Sequence, residues 1–309
     1  MKAVYMMQHG GPEVLTWGEL PDPVAKAGQV VVDIHAASIN GADWKVRAGG
    51  TYGTIDTFPY ILGRDFSGIV CAIGADVTDF KVGDAAFGVL PREQEGTYCE
   101  KVATTASILA KKPDGVSHVD ASALALVGLT ALISVEDTLQ LQRGETILIH
   151  GGAGGVAAFA IEVAKHIGAR VITTASAANH DYVRKLGADQ VIDYRAEDFT
   201  KLVSGVDCVF DTVGGDVTQK SFAVLKPGGR AAFIASGAKA PMPEGRSDVR
   251  SLRPAVGRGR PYLERIMQLL TAGAVHVPEV KLYDLSQAQE AHKVSQGRHL
   301  RGKLVFKVR

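Results

Sequence analysis

Apolar residues change their spacing near residue 120 of this chain of 309 residues. Before that point they fall in short runs cut by glycine and proline. Gln29-Val-Val-Val-Asp-Ile-His-Ala-Ala37 and Ser67-Gly-Ile-Val-Cys-Ala-Ile73 are examples, and they predict a mostly β region. From Asp120 an Ala/Leu-rich stretch predicts a long helix. Apolar runs at 146–150, 170–174, 190–193, 207–211 and 230–235 then alternate with helical patterns. That alternation predicts a parallel sheet with helices on both faces. Residues 262–272 and 286–295 predict helices and 302–306 a closing strand, with no internal repeat or low-complexity segment.

The densest local signal is Thr146-Ile-Leu-Ile-His150 followed by Gly151-Gly152-Ala153-Gly154-Gly155-Val156-Ala157. It reads as a buried strand, a glycine turn and the start of a helix on which Val156, Ala160, Val163 and Ile167 share a face. Gly168 then stops the helix, and Arg170-Val-Ile-Thr-Thr174 begins the next strand. A turn of this kind lets backbone amides approach a pyrophosphate at the positive end of the helix dipole, so the unit predicts a bound dinucleotide. The third motif position is Ala157, a methyl group small enough for helix and strand to pack closely.

An acidic residue after the second strand would accept both ribose hydroxyls and repel a 2′-phosphate. The segment there is Thr174-Ala-Ser-Ala-Ala-Asn179, which favours NADP over NAD. No Lys or Arg sits at the strand end, so the countercharge must come from elsewhere, for instance Arg195.

Composition narrows the partners. With 34 Lys and Arg against 33 Asp and Glu the formal charge is +1, which gives no general field for nucleic acid or an anionic membrane. Six arginines between Arg246 and Arg265 are interspersed with Gly, Pro and Ser and read as a solvated loop. No uninterrupted apolar run approaches the 18 or so residues of a spanning helix, and no signal core follows Met1, so a cytoplasmic protein is expected. Cys71, Cys99 and Cys208 are scattered, without ligand spacing, and read as small core hydrophobes.

Longer-range motifs carry a resemblance over essentially the whole chain. They are Ala37-Ser-Ile-Asn-Gly-Ala-Asp43, Leu62-Gly-Arg-Asp-Phe-Ser-Gly68, Val82-Gly-Asp84, Gly128-Leu-Thr130, the glycine turn, Lys185-Leu-Gly-Ala-Asp-Gln-Val-Ile-Asp-Tyr194, and Ala291-His292 ahead of Arg301-Gly-Lys303. In this order the chain resembles the zinc-independent medium-chain dehydrogenases/reductases, in the quinone oxidoreductase and zeta-crystallin branch. The resemblance implies an α/β protein with a GroES-like β domain from residues 1–122 and 263–309. Into this a Rossmann NADP-binding domain, a doubly wound parallel sheet at 123–262, is inserted, with the active site in the cleft. It also implies a homodimer, and the sequence adds a reason: Gly229-Arg-Ala-Ala-Phe-Ile-Ala235 would be the last strand of the inserted sheet, an apolar edge open to a second copy.

The zinc-dependent relatives would need a thiolate where Asn40 stands and a His-Glu pair where Arg64-Asp65 stands, so no metal is expected. The resemblance then implies hydride transfer from NADPH to a small acceptor, a quinone or an α,β-unsaturated carbonyl, with the quinone preferred. An enone or enal reductase and a non-catalytic NADPH-binding, crystallin-like protein are the alternatives. Tyr52 and Asn40 are the candidate donors to a developing oxyanion. On the cofactor side the resemblance assigns Thr130 to the phosphate or nicotinamide side and Gly154, Gly155 and Val156 to the pyrophosphate. Ser176 and Tyr194 go to the 2′-phosphate, and Val213 with Ile234 to the nicotinamide face. Asn179 stands where related reductases carry a lysine. His150, beside the glycine turn, is expected to be a strand-end histidine held by backbone hydrogen bonds. Arg64 and Asp65 are expected to form a structural ion pair or to brace the cleft, and His292 and His299 to be structural.

Overall fold

Strand Gln29–Ile39 carries apolar residues at seven of its 11 positions and is buried along most of its length, with neighbouring strands paired on both sides. The computed structural model describes residues 1–49, 55, 57–91, 94, 96–237 and 239–309. Two units emerge. The first comprises Met1–Leu126, Arg258–Gln268 and Val277–Arg309, and the second Val127–Gly257 and Leu269–His276.

The first unit is the GroES-like β domain. Its main sheet runs in the order Val280–Asp284, Lys303–Lys307, Gln29–Ile39, Asp65–Ile73, Ala85–Val89, Ala110–Lys111, and Lys101–Thr105 also pairs with Gln29–Ile39. Pairing is antiparallel except between Val280–Asp284 and Lys303–Lys307. Gly68 stands opposite Ile34 where the register slips, and a Cβ there would fall on the carbonyl of Asp33. The glycine of the Asp-Phe-Ser-Gly segment is therefore required by the close approach of two strands. A smaller sheet of Thr16–Glu19, Lys2–Met6 and Tyr60–Ile61 completes the unit.

The second unit is the Rossmann domain. Six parallel strands lie in the order Gln190–Asp193, Arg170–Ala175, Thr146–His150, Val206–Asp211, Leu225–Phe233, Arg250–Leu252, which in chain order is 3-2-1-4-5-6. Connections from the central strand run outward in both directions. With right-handed crossovers this puts helices on both faces, and it leaves a switch point between Thr146–His150 and Val206–Asp211.

Two expectations fail here. The strand read as 230–235 spans Leu225–Phe233 and is not the sheet's edge, because Arg250–Leu252 pairs beyond it. The arginine-rich segment is not a solvated loop either. Arg246 donates to the carbonyls of Phe222 (2.8 Å) and Leu225 (3.0 Å), Arg253 to Phe233 O (2.6 Å), and Arg260 to Leu109 O (2.5 Å) and Ala106 O (2.8 Å). A guanidinium carries five donors in a rigid fork, so it can close carbonyls left over by the sheets as well as face water.

The apolar helix His118–Leu132 continues as a π-helical stretch, Ile133–Thr138. Together they are long and apolar enough to cross a membrane, yet 78% of the apolar window is buried within the protein.

Candidate functional site

The glycine turn lies where the strand order reverses. Gly151 takes φ +77°, a conformation that favours glycine. A Cβ on Gly152 would fall on Thr173 Oγ1, which is held by its bond to Ile149 O at 2.7 Å. Gly154 differs. Among the described residues its built Cβ meets only Gly151 O at 3.4 Å, and its φ of −77° suits any residue, so packing among them does not call for glycine there. A ligand drawn close to that backbone would call for it.

Helix Gly155–Ile167 begins at once, and its first backbone bond runs from Ala158 N–H to Gly154 O at 2.8 Å. The amides of Gly155, Val156 and Ala157 therefore precede the helical ladder, with no side-chain cap and no acidic residue in the first turn. Three such donors at the positive end of the helix dipole suit a pyrophosphate. Ala157 is buried, as close helix–strand packing requires.

Around the turn the strand ends are fixed by a chain of hydrogen bonds that runs from the Gly151 amide to the Val217 carbonyl. Gly151 N–H donates to Thr174 Oγ1 (3.1 Å), and the Thr174 hydroxyl is then free to donate to His150 Nδ1 (3.3 Å). His150 Nε2–H donates to Ser221 Oγ (3.2 Å), which donates to Val217 O (2.8 Å). This chain of donors fits the neutral Nε2–H tautomer. Burial pushes the imidazole down to about 4, with Asp211 opposing the shift. His150 is structural, though hydroxyl groups rather than backbone hold its ring. Asp211, also buried, accepts from the amides of Val213 (2.8 Å) and Gly214 (2.9 Å) and from Thr218 Oγ1 (2.8 Å), and so shapes the loop that presents Val213, which is 45% exposed. Ile234 joins the same edge through its amide bond to Asp211 O (3.2 Å). Thr130, on the preceding helix, is largely buried, and its carbonyl accepts the Ser134 hydroxyl at 2.6 Å.

On the far side of the turn, strands Arg170–Ala175 and Gln190–Asp193 end in register, Ala175 opposite Asp193. Ser176 and Tyr194, each one residue further on, consequently emerge side by side. Asn179 Nδ2 donates to Ser176 Oγ at 3.2 Å, Tyr194 is half exposed, and the Arg195 guanidinium lies 5.8 Å from the Tyr194 ring centre. This end offers a hydroxyl, an amide, a phenol and one guanidinium to an anion.

A second constellation sits in the first unit. Asn40 Nδ2 donates to Asp65 Oδ1 (2.7 Å), and Asp65 Oδ2 accepts Ser38 Oγ (2.8 Å) and Leu126 N–H (3.3 Å). Lys303 Nζ donates to Ile39 O (2.9 Å) and Asn40 Oδ1 (2.8 Å). Asp43 accepts Asn40 N–H (2.8 Å) and the Tyr98 hydroxyl (2.6 Å), and Arg64 Nε stands 3.7 Å from it. Arg64 thus faces Asp43 and not its sequence neighbour Asp65, contrary to the expected pair. Burial raises the Asp65 carboxyl and lowers the Lys303 ammonium, each opposed by the other's charge. Three donors converge on the carboxylate and two acceptors on the ammonium, so the hydrogen bonds suit the charged forms. Asp43 and Lys303 belong to the motifs that carry the resemblance but receive no role from the sequence, and Tyr98 carries no sequence signal at all. Tyr52 lies outside the described residues.

Elsewhere Arg47, fully buried, donates to Gly10 O (3.1 Å), His292 Nδ1 (3.0 Å) and Gln296 Oε1 (2.9 Å), so His292 is structural. Among the described residues no group of three or more His, Cys, Asp or Glu is placed to hold a metal ion. The positions in question carry an amide already engaged by an ammonium and an acid bonded to three donors, a set that does not fit zinc. Cys99 does not fit either: its buried thiol sits against Gly96 O and Lys101 O, with no group of further ligands about it among the described residues.

Two family models match, one described as alcohol dehydrogenase GroES-like domain over residues 26–116 and one as zinc-binding dehydrogenase over 186–306. A quinone oxidoreductase structure from Coxiella burnetii superposes with a TM-score of 0.92 at 34% identity, covering 100% of this chain and 99% of that one. The Escherichia coli quinone oxidoreductase, solved in complex with NADPH, gives 0.91 at 28% identity with both chains covered in full. A 2-haloacrylate reductase from a Burkholderia species is 31% identical over 98% of each chain.

Proposed function

Because the chain belongs to the quinone-oxidoreductase branch of the medium-chain dehydrogenase/reductase family, we propose that it is an NADPH-dependent reductase that delivers hydride to a quinone. The observation that carries this reading is Gly154: packing among the described residues does not account for the missing Cβ, and the three helix amides after it precede the ladder with no partner among the described residues. NADPH held there supplies hydride from its reduced nicotinamide ring.

The remaining chemistry falls to the chain. The amides of Gly155, Val156 and Ala157 bind the pyrophosphate. Ser176, Asn179 and Tyr194 donate to the 2′-phosphate, with Arg195 as the nearby cation and no carboxylate following Ala175 to repel it. Val213 and Ile234 offer apolar contact to the ring and keep water from it. A conjugated acceptor spreads incoming charge, so hydrogen-bond donors suffice for its oxyanion. Asn40 has one amide hydrogen committed to Asp65; the other, which among the described residues lies only near Ser38 O at 3.5 Å, is assigned as the donor. Tyr52 is assigned as a second donor, and solvent supplies the final proton.

An enone or enal as acceptor is the second reading, favoured by the resemblance to a 2-haloacrylate reductase, whose substrate is an activated alkene. Stopped-flow loss of NADPH absorbance with a panel of quinones, enones and enals separates the two. Quinones are expected to turn over fastest, and Tyr52→Phe to slow them by about tenfold or more. Turnover confined to alkenes transfers the assignment to double-bond reduction. Tight NADPH binding without turnover of any acceptor would leave a binding protein. Absence of NADPH binding by calorimetry would remove the reading altogether.

A further inference from the structure

Lys303 is 4% exposed and opens strand Lys303–Lys307, which pairs with the end of Gln29–Ile39. A buried ammonium ordinarily meets a carboxylate directly. Here Lys303 and Asp65 are instead joined through the Asn40 amide, whose Oδ1 takes the ammonium at 2.8 Å and whose Nδ2 reaches Asp65 at 2.7 Å. The donor and acceptor ends of the amide are therefore fixed without ambiguity, since an ammonium can only donate and a carboxylate only accept. The same contacts polarise it: positive charge at the oxygen and negative charge at one hydrogen draw the amide further toward its charge-separated form. Among the described residues its second hydrogen has only a 3.5 Å contact with Ser38 O, outside good hydrogen-bond range. Ile39 O takes a further ammonium proton at 2.9 Å and so sets the Lys303 side chain in place.

We propose that Lys303 is a positioning residue for the reduction: acting through Asn40, its ammonium aims and strengthens the amide hydrogen that meets the oxyanion developing on the acceptor. This rests on the reading of Asn40 as a donor to substrate. It adds that the donor's strength is set by a cation that touches neither substrate nor cofactor. A purely structural Lys303 would affect stability and leave the donor unchanged, so the two roles separate experimentally.

The experiment compares wild type, Lys303→Met, Lys303→Gln, Asn40→Ala and the double variant Lys303→Met/Asn40→Ala. Single-turnover NADPH oxidation is followed with the best quinone or enone, together with the NADPH dissociation constant and the thermal midpoint. Lys303→Met is expected to lower the hydride-transfer rate by about tenfold while NADPH affinity stays within twofold. Lys303→Gln, which keeps an N–H for Asn40 Oδ1, is expected to recover part of the loss and serves if the methionine variant does not fold. The double variant should match Asn40→Ala within twofold, since a residue that acts only through Asn40 has nothing left to act on. A rate within twofold of wild type in Lys303→Met, or losses that multiply in the double variant, overturns the proposal.

An arm without turnover uses the nitrogen-labelled protein. The Asn40 side-chain amide protons should shift upfield in Lys303→Met, and an unchanged shift in an active enzyme overturns the relay alone. A wild type inert toward every acceptor overturns the reductase reading and, with it, the kinetic role of Lys303.

Discussion

Gly152 and Gly154, two positions apart, are glycine for different reasons, and the difference can be measured. At Gly152 a methyl group would land on a threonine hydroxyl already bonded to Ile149 O, so Gly152→Ala is expected to destabilise the fold by roughly 1–3 kcal/mol through overpacking. At Gly154 a methyl group meets, among the described residues, only Gly151 O, in a conformation alanine adopts freely. Gly154→Ala should therefore leave the urea midpoint nearly unchanged or slightly raised while weakening NADPH binding by about tenfold or more. Calorimetry with NADPH and urea denaturation of both variants decide it. Equal loss of stability in the two would mean that protein packing, and not a ligand, keeps Gly154 small.

Three elements meet at His150: the end of its own strand, Thr174 on the neighbouring strand, and Ser221 on helix Asp216–Ala223. Their junction is built for the neutral ring, whose ordinary value of 6.5 burial pushes down to about 4. The unfolded chain binds a proton here before the folded one does, so this share of stability is present above pH 6.5 and is lost as the pH falls toward 4. By pH 5 the loss amounts to about 2 kcal/mol relative to pH 7.5. Urea titrations at the two pH values should show it, and His150→Gln, which can make both bonds without titrating, should flatten that part of the dependence.

The elements themselves were legible where side chains decide them. Thr146–His150, Arg170–Ala175 and Gln190–Asp193 fall within one residue of the apolar runs that predict them, because buried parallel strands are apolar on both faces. Leu225–Phe233 began five residues earlier than read. Its Lys226-Pro-Gly-Gly229 looks like a turn but is taken up where the register slips between Val206 and Cys208. Arg250–Leu252 was missed because a three-residue edge strand holds on by backbone bonds, which leave no apolar signature. The glycine turn could be read because all its parts are neighbours in sequence. The cluster around Asp65 could not: Ser38 and Lys303 reach it across 27 and 238 positions, and no local spacing records such a meeting.

At the scale of the whole molecule, each unit has a hydrophobic cluster of its own, one built on Val32, Ile34, Phe66 and Phe306 and the other on Leu148, Val209, Phe222 and Phe233. Every cofactor-side residue, from Thr130 to Ile234, belongs to the second unit. NADPH at a hundred times its dissociation constant contributes about 2.7 kcal/mol to whatever must unfold to release it. Hydrogen exchange should therefore slow in strands Thr146–His150, Arg170–Ala175 and Val206–Asp211 when NADPH is added, with little change in Gln29–Ile39. Equal protection in both units would show that they open as one.

Lys303–Lys307 enters the first sheet beside Gln29–Ile39, yet it follows the entire second unit in the chain. As the polypeptide emerges from the ribosome, residues 127–257 can close their sheet while the earlier-made unit still lacks a strand and Asp65 still lacks the ammonium that balances it. The older half of the protein must wait for the younger, holding an open sheet edge meanwhile, and nascent chains stalled before residue 303 should be the ones that chaperones capture and proteases cut.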